Sequence, residues 1–429
     1  MAERPHSFSF VHAADLHLDT PFSGVHAVAP QVATALRDAS LAALDAIVDL
    51  AISRSAAFVL FAGDVYDGAE RGLRAQLRFR DNLARLSRSG IASFVVHGNH
   101  DPVESGWSAL GEGWPEGVTV FRPHEVTVVP VMHDGAQIAT VQGISYARRD
   151  TAENLARLLT RPDGDGVHIG LLHCNVEGAP GGHANYAPCT LDDLRATRLD
   201  YLALGHVHER RILAGPGAGD PWVVYPGNSQ ARSPRASERG AKGAVVVEVR
   251  DSVVLEPEFV ACDQVRFAEV AVDVAEFSEF GGLASELAAL AEEARAAADG
   301  RSVVLRGVLG GRGGLHRDLA RPGLLDELLR HLRDGSGALN PFVWWDAIVD
   351  ESAAETEVEA GRGDFADDLL AIAAALEDEH LAAALAALAG EAPRPLRRPI
   401  DELLATREQR ESLLAAASRL ALSELGGSR

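Results

Sequence analysis

Gly98-Asn99-His100-Asp101 comes one residue after the apolar run Ile91-Ala92-Ser93-Phe94-Val95-Val96. A continuous Val/Ile/Phe run reads as a parallel strand covered on both faces. The tetrapeptide therefore falls where that strand runs out into a loop, the part of a rigid scaffold that carries chemistry. Gly98 permits an unusual backbone turn, and Asn99 and His100 then project side chains able to bind a cation or a phosphate oxygen. One such tetrapeptide is weak evidence of a site. The same grammar, a short apolar strand ending in metal-ligand residues, recurs at four other places.

Phe8 to Ala13 ends in Ala14-Asp15-Leu16-His17, which puts Asp15 and His17 on one side of an extended backbone. Ala57-Phe58-Val59-Leu60-Phe61 ends in Gly63-Asp64, a carboxylate whose two oxygens can bridge two cations. Val167 to Leu172 runs into His173, and Asp200 to Leu204 runs into Gly205-His206-Val207-His208, an H-x-H pair on one side of the chain. Each has an ordinary reading when taken singly: an Asp in an Asx-turn, a surface His, a buried His. Their repetition at matching strand ends favours the functional reading.

Between these strands the periodicity is helical. Leu36, Leu41, Leu44, Ile47, Val48 and Ala51 predict a helix within 31–54, and Leu73, Leu77, Leu83 and Leu86 predict one over 71–88. Strands alternating with helices make a βαβαβ unit, whose ligands bind beyond the carboxyl ends of its strands. Arg71, Arg74, Arg78 and Arg85 share an outer face of the second helix, either as a solvated face or as a track for a phosphodiester backbone. Short alternating strands follow over 117–142, then a helix over 151–160. Beyond 211, further strands surround Pro226-Gly227-Asn228-Ser229-Gln230 and the basic loop Arg232 to Lys242. In that loop Arg232, Arg235 and Lys242 are candidate phosphate contacts, with a solvated turn as the alternative.

Cys262-Asp263 reads as a boundary. Residues 1–262 would hold the strand-end constellation, 263–350 a small β-α-β-α-β domain, and 351–365 an acidic, Gly-containing linker. The last segment, 366–429, carries Ala/Leu-rich amphipathic spans at 366–390 and 399–425 that need a partner surface for their apolar stripes.

A chain of 429 residues, 47% hydrophobic and 24% charged, has the composition of a globular protein of two or three domains. No apolar run approaches the roughly 18 residues of a membrane span. Met1 to His12 lacks the pattern of a secretory signal, so a cytoplasmic location is expected. Cys174, Cys189 and Cys262 lack C-x-x-C spacing and suggest neither a disulfide framework nor a thiolate metal site. The net charge of −22 argues against a nucleic-acid partner. Its distribution softens that, since residues 1–262 hold 31 acidic and 23 basic residues (net −8) and 263–429 hold 31 and 17 (net −14).

Asp15, His17, Asp64, Asn99, His173, His206 and His208 together make seven N/O ligands at five strand ends, the number two metal ions need if one carboxylate bridges. Imidazole, carboxylate and amide without thiolate favour Mn²⁺, Fe²⁺ or Zn²⁺ over Ca²⁺ or Mg²⁺. Two such ions clamp a phosphate and lower the pKa of a bound water, which predicts phosphoester hydrolysis.

D-x-H, G-D-x-x-D, G-N-H-D, a lone strand-end His and G-H-x-H, in that order, resemble the motif set of the calcineurin-like metallophosphoesterases over roughly 1–260. His-Ala-Ala-Asp-Leu-His-Leu-Asp-Thr-Pro-Phe from His12, Ala62-Gly63-Asp64-Val65-Tyr66-Asp67, Asn185-Tyr186-Ala187-Pro188-Cys189 and Tyr225-Pro226-Gly227-Asn228-Ser229-Gln230 are similar to the SbcD-type DNA repair exonucleases, and among these to the bacterial YhaO branch. The resemblance implies an α/β fold, a four-layer α-β-β-α sandwich with a small α/β capping domain and a helical C-terminal segment. It implies that Asp15, His17, Asp64 and His208 bind one metal and Asp64, Asn99, His173 and His206 the other, with Mn²⁺ ahead of Fe²⁺ or Zn²⁺. His100 would hydrogen-bond the scissile phosphate or protonate the leaving oxygen, with Asp101 orienting its ring. Asp67 stands where some nuclease relatives place a His. The implied partners are DNA and an SMC-like coiled-coil ATPase of the YhaN/SbcC type, with room for a homodimer and no membrane. A dimetal phosphoesterase acting on a small phosphoester, a cyclic nucleotide or a phosphoprotein is the alternative.

Overall fold

The computed structural model describes residues 7–20, 29–68, 72–104, 113–133, 135–176, 186–217, 220–334, 336 and 340–353, with scattered positions beyond 367. The spans 366–390 and 399–425, expected as amphipathic helices, and Arg71 lie largely or wholly outside the described residues. By its contacts the chain divides into two compact units. The first comprises Met1–Glu269, Ala291–Arg306 and Arg333–Ala347, and the second Val270–Leu290, Gly307–Leu332 and Ile348–Arg429.

The elements run β1 (Ser7–Ala13), α1 (Pro30–Ser53), β2 (Phe58–Ala62), α2 (Leu73–Arg88), β3 (Ala92–Val96), β4 (Val118–Val120), β5 (Thr127–His133), β6 (Ala136–Gly143), β7 (Val167–His173), α3 (Leu191–Ala196), β8 (Tyr201–Gly205), β9 (Arg211–Ala214), β10 (Trp222–Tyr225), β11 (Gly243–Arg250), β12 (Val253–Val254) and β13 (Glu258–Ala261). After these come β14 (Val265–Asp273), α4 (Phe280–Ala297), β15 (Ser302–Gly310), α5 (His316–Leu319), α6 (Leu324–Arg333) and β16 (Val343–Asp350).

Two sheets build the first unit. One has the order β12-β11-β1-β2-β3-β4, with β13 also on β11, and the other the order β5-β6-β7-β8-β10-β9. β1, β2, β3 and β4 are parallel, as in Phe10↔Phe58 and Phe58↔Ala92, so their carboxyl ends lie along one edge. β6, β7, β8 and β10 are likewise parallel, with β7 and β8 registered through His173↔Gly205. Phe10, Phe58 and Phe94 from the first sheet pack with Val141, Ile169 and Tyr201 from the second in one buried cluster. The opposite face of the first sheet buries Val11, Val59 and Val95 against Leu44, Ile47 and Val48 of α1 and Phe79 and Leu83 of α2. Outside the second sheet, Leu172, Leu202 and Val223 pack with Leu155 and Leu194. Helix, sheet, sheet, helix: this is the four-layer sandwich. Strands covered on both faces explain the unbroken apolar runs of β2, β3, β7 and β8.

Helix α1 begins at Pro30, where a missing N–H costs nothing. The arginines of α2 have definite partners: Arg74 lies 2.6 Å from Asp38, and Arg78 and Arg85 pair with Asp45 and Asp49, all three acids on α1. They tie two helices together and do not line a track. Where a helix was expected over 151–160, only one 3₁₀ turn forms, at Leu155–Leu158. Its continuation is pulled away as Thr160 N–H donates to Gln142 Oε1 (3.2 Å) and Arg161 N–H to Thr197 O (3.0 Å). β14, β15 and β16 form a three-stranded sheet in that order. In the second unit Leu283 and Leu287 are the buried stripe of α4. Among the described residues no helix is long and apolar enough to cross a membrane.

Candidate metal centre

All seven candidate ligands lie just beyond, or at, the carboxyl ends of β1, β2, β3, β7 and β8, and the face-to-face packing of the two sheets brings those ends together. Asp15, His17 and Asp64 have φ of 50°, 42° and 49°, and His206 has 104°. Such angles are uncommon for non-glycine residues, although Asp and His adopt them more readily than most, and they cluster at functional sites. Two glycines make the approach feasible. A Cβ at Gly98 would stand 2.3 Å from Asp64 Oδ1, and one at Gly205 would stand 1.8 Å from the Ala62 carbonyl oxygen.

His17 Nε2 lies 3.1 Å from His208 Nε2 and 3.7 Å from Asp64 Oδ2. Asp15, His17 and His208 offer ligand atoms all within 4.8 Å of one another, as do Asp15, Asp64 and His173. Asn99 Oδ1 lies 2.9 Å from His173 Nε2 and 3.3 Å from His206 Nδ1, which adds the amide and the fourth imidazole to the second group. Asp64 Oδ2, at 3.4 Å from His173 Nε2 and 3.7 Å from His17 Nε2, stands between the two groups. Asp15 contributes to both, which the sequence reading confined to one.

The outer hydrogen bonds fix which nitrogens face inward. His173 Nδ1 donates to the Ala62 carbonyl (2.9 Å) and His208 Nδ1 to Glu238 Oε1 (2.7 Å), which leaves Nε2 of each ring as the nitrogen that faces the centre. That is how second-sphere groups set a ligand imidazole's tautomer. Glu238 is itself held by Asn228 Nδ2 (2.7 Å) and the Arg232 N–H (3.0 Å). Burial pushes Asp15 up to about 6 against the pull of His173 and His208. Burial also opposes the charge of Asp64, but His173 beside it wins and holds Asp64 well below the usual carboxylate range. Asp64 in turn overcomes burial to lift His173 to about 9. Two buried carboxylates facing four imidazoles demand positive charge among them. A pair of divalent cations meets that demand through the same lone pairs, so the donor set fits two metal ions.

His100, expected at the phosphate, has its backbone N–H on Asp64 Oδ1 (2.9 Å) and its ring 4.9 Å from that of His17. Its ring is oriented by a different carboxylate from the one expected. Asp101 Oδ1 accepts from Gly98 N–H (2.8 Å), and Oδ2 accepts from Val65 N–H (3.0 Å), Tyr66 N–H (3.3 Å) and His97 Nδ1 (2.9 Å). Asp101 thus builds the loop, because a buried carboxylate satisfies backbone donors that have no strand to pair with. Asp67 Oδ1 lies 2.7 Å from His100 Nδ1 and 3.4 Å from His17 Nδ1. Burial opposes the charge of Asp67, yet the bonds from His100 and His17 hold it well below the usual range. Against its own burial, His100 is raised by Asp67.

Of the three basic residues expected at phosphate, Lys242 is buried, and its Nζ donates to the carbonyls of His208 (2.8 Å) and Ser237 (2.7 Å). It supports a ligand loop and does not reach the site. Arg235 is exposed, and Arg232 alone approaches, with Nη1 3.3 Å from Asp67 Oδ2. Asn228 and Gln230 of the Tyr-Pro-Gly-Asn-Ser-Gln string are structural: Gln230 Nε2 donates to the Val265 carbonyl (2.6 Å) and its Oε1 accepts from Gln264 N–H (2.8 Å). The sequence reading missed Glu238. It sits between Ser237 and Arg239 in a loop that looked merely basic, and only its fold-back onto His208 reveals it.

A sandwich of this topology, carrying these ligands at its strand ends, defines the class, and the sequence agrees: residues 8–210 match the Calcineurin-like phosphoesterase family. Residues 267–353 match the middle domain of the metallophosphoesterase YhaO. The chain is 35% identical over 350 residues, covering 82% of it and 83% of the relative, to "Uncharacterized metallophosphoesterase YhaO" of Bacillus subtilis. It belongs to that family of metallophosphoesterases. It is also 27% identical over 218 residues, 48% of the chain and 55% of the relative, to the DNA double-strand break repair protein Mre11 of Thermoplasma acidophilum. The Mre11 protein of Sulfurisphaera tokodaii is 25% identical over 210 residues, 47% of the chain and 51% of the relative.

Proposed function

We propose that this metallophosphoesterase is a two-metal phosphodiesterase acting on DNA, in company with an SMC-like coiled-coil ATPase. The observation that carries the chemistry is the convergence of Asp15, His17, Asp64, Asn99, His173, His206 and His208 with His100 beside them. Two divalent ions held there, Mn²⁺ first, with Fe²⁺ or Zn²⁺ as alternatives, would supply an activated water and neutralise the charge developing at phosphorus. Asp64 stands between the two positions. Glu238 and the Ala62 carbonyl keep His208 and His173 in the ligating tautomer. His100, held by Asp67, donates its proton or a hydrogen bond to the leaving oxygen.

DNA as substrate is supported by the similarity to two Mre11 repair proteins. The net charge of −22 favours the second reading, a small phosphoester, cyclic nucleotide or phosphoprotein. One experiment separates them: purified protein with Mn²⁺, single- and double-stranded DNA, and bis-p-nitrophenyl phosphate. Cleavage of both DNA and the small diester upholds the proposal. Cleavage of the small diester alone leaves the metallophosphoesterase and removes the nuclease.

A further inference from the structure

We propose that Arg232 is a positioning residue that locks His100 and the metal-ligand shell into one rigid unit. It is held at both ends. Its backbone N–H donates to Glu238 Oε2 (3.0 Å), and the other oxygen of that carboxylate takes His208 Nδ1 (2.7 Å). Its guanidinium Nη1 lies 3.3 Å from Asp67 Oδ2, and Asp67 Oδ1 serves His100 at 2.7 Å and His17 at 3.4 Å. One residue therefore links two carboxylates, and through them the ligands His17 and His208 and the leaving-group donor His100.

A carboxylate turns easily about its terminal torsion, where the energy wells are broad. Asp67 would swing if its second oxygen were free, and the His100 ring would follow it. A guanidinium is planar, permanently charged and directional, which suits it to fixing a carboxylate plane. With side chains 20% and 26% exposed, Arg232 and Asp67 are partly shielded from water, so their attraction is less screened than at an open surface. The same charge settles what the neighbouring cluster does. His17, Asp67 and His100 have ligand atoms within 4.8 Å of one another and by distance alone could take a further cation. The guanidinium already supplies that positive charge.

The inference rests on the phosphodiesterase reading only for its kinetic consequence, so the test has two arms. In ¹⁵N-histidine-labelled protein loaded with Zn²⁺, the hydrogen-bonded Nδ1–H of His100 is identified by its absence in His100→Asn. Arg232→Gln should lose or broaden that signal, Arg232→Lys should largely keep it, and both should hold the wild-type metal content. In the second arm, Arg232→Gln should slow hydrolysis of a phenyl phosphodiester about tenfold more than that of the p-nitrophenyl analogue, because nitrophenolate leaves without help from an acid. Arg232→Lys should restore most of the difference. An unaltered His100 signal in Arg232→Gln overturns the proposal, as does an equal slowing of both esters. Wild-type protein that hydrolyses neither ester refutes the phosphodiesterase reading instead, and the spectra then decide the role of Arg232 alone.

Discussion

His17 and His208 stand 191 positions apart in the chain, yet their Nε2 atoms lie 3.1 Å apart, one delivered by the first sheet and one by the second. Two imidazole lone pairs at that distance repel unless a proton or a metal lies between them or beside them. The whole centre shares this property, and it makes the ligand set testable one group at a time.

Asp64→Ala should lose both ions and nearly all turnover, because Asp64 lies beside His17 of one group and His173 of the other. Elemental analysis decides it. A variant that keeps two metals per chain would show that Asp64 does not bridge.

His100→Ala and Asp101→Ala should fail in different ways. His100→Ala should keep its metals and melting temperature and lose roughly 10²–10³-fold in rate, the usual size for one acid or oxyanion-type donor. Asp101→Ala strands the buried N–H groups of Gly98, Val65 and Tyr66. At about 1–3 kcal/mol for each unsatisfied donor, it should be the less stable of the two. Thermal unfolding of both variants checks the contrast, and equal melting temperatures would contradict it.

Glu238→Gln replaces a carboxylate that accepts from His208, Asn228 and Arg232 with an amide that must turn an NH₂ toward a donor. Metal affinity should fall by roughly 10–100-fold while the fold persists. Competition against a calibrated chelator measures this, and unchanged affinity would reduce Glu238 to a loop contact.

His12, in β1 beside the Tyr201 hydroxyl (3.0 Å), is lowered by burial from 6.5 to about 3. Below about pH 6.5 the unfolded chain takes up a proton that folded His12 refuses, so its stabilising contribution is lost as pH falls from about 6.5 toward 3. The slope is at most about 1.4 kcal/mol per pH unit. His12→Phe should show a shallower loss of stability over that window in denaturant titrations at several pH values. Parallel curves for variant and wild type would remove His12 from the acid response.

Truncation after Glu359 addresses the proposed partner. The shortened chain should bind two metals and hydrolyse a small phosphodiester but fail to co-purify with the coiled-coil ATPase. If it still binds, the docking site lies elsewhere. If it loses its metals, the tail belongs to the catalytic domain.

The sequence by itself marked the strands that carry the site and the candidate ligands at their ends, because a strand covered on both faces reads as a short apolar run and side chains of ligand type follow each of these runs. It also marked both crossover helices, since their apolar spacing follows from the helix period whatever they pack against. Partnership was decided only by the tertiary structure. Asp67 and Asp101 are both acids in loops after strands, and nothing local tells which one will meet His100. The packing of the loop after β2 against the loop after β3 gives the ring to Asp67 and the backbone amides to Asp101. Lys242 and Arg232 looked alike as basic loop residues, until the fold buried the first under His208 and carried the second to Asp67. Glu238 became the support of the candidate ligand His208 because its loop folds back onto Asn228 and His208. Such assignments depend on contacts between residues distant in sequence, and local periodicity and spacing carry no record of those contacts.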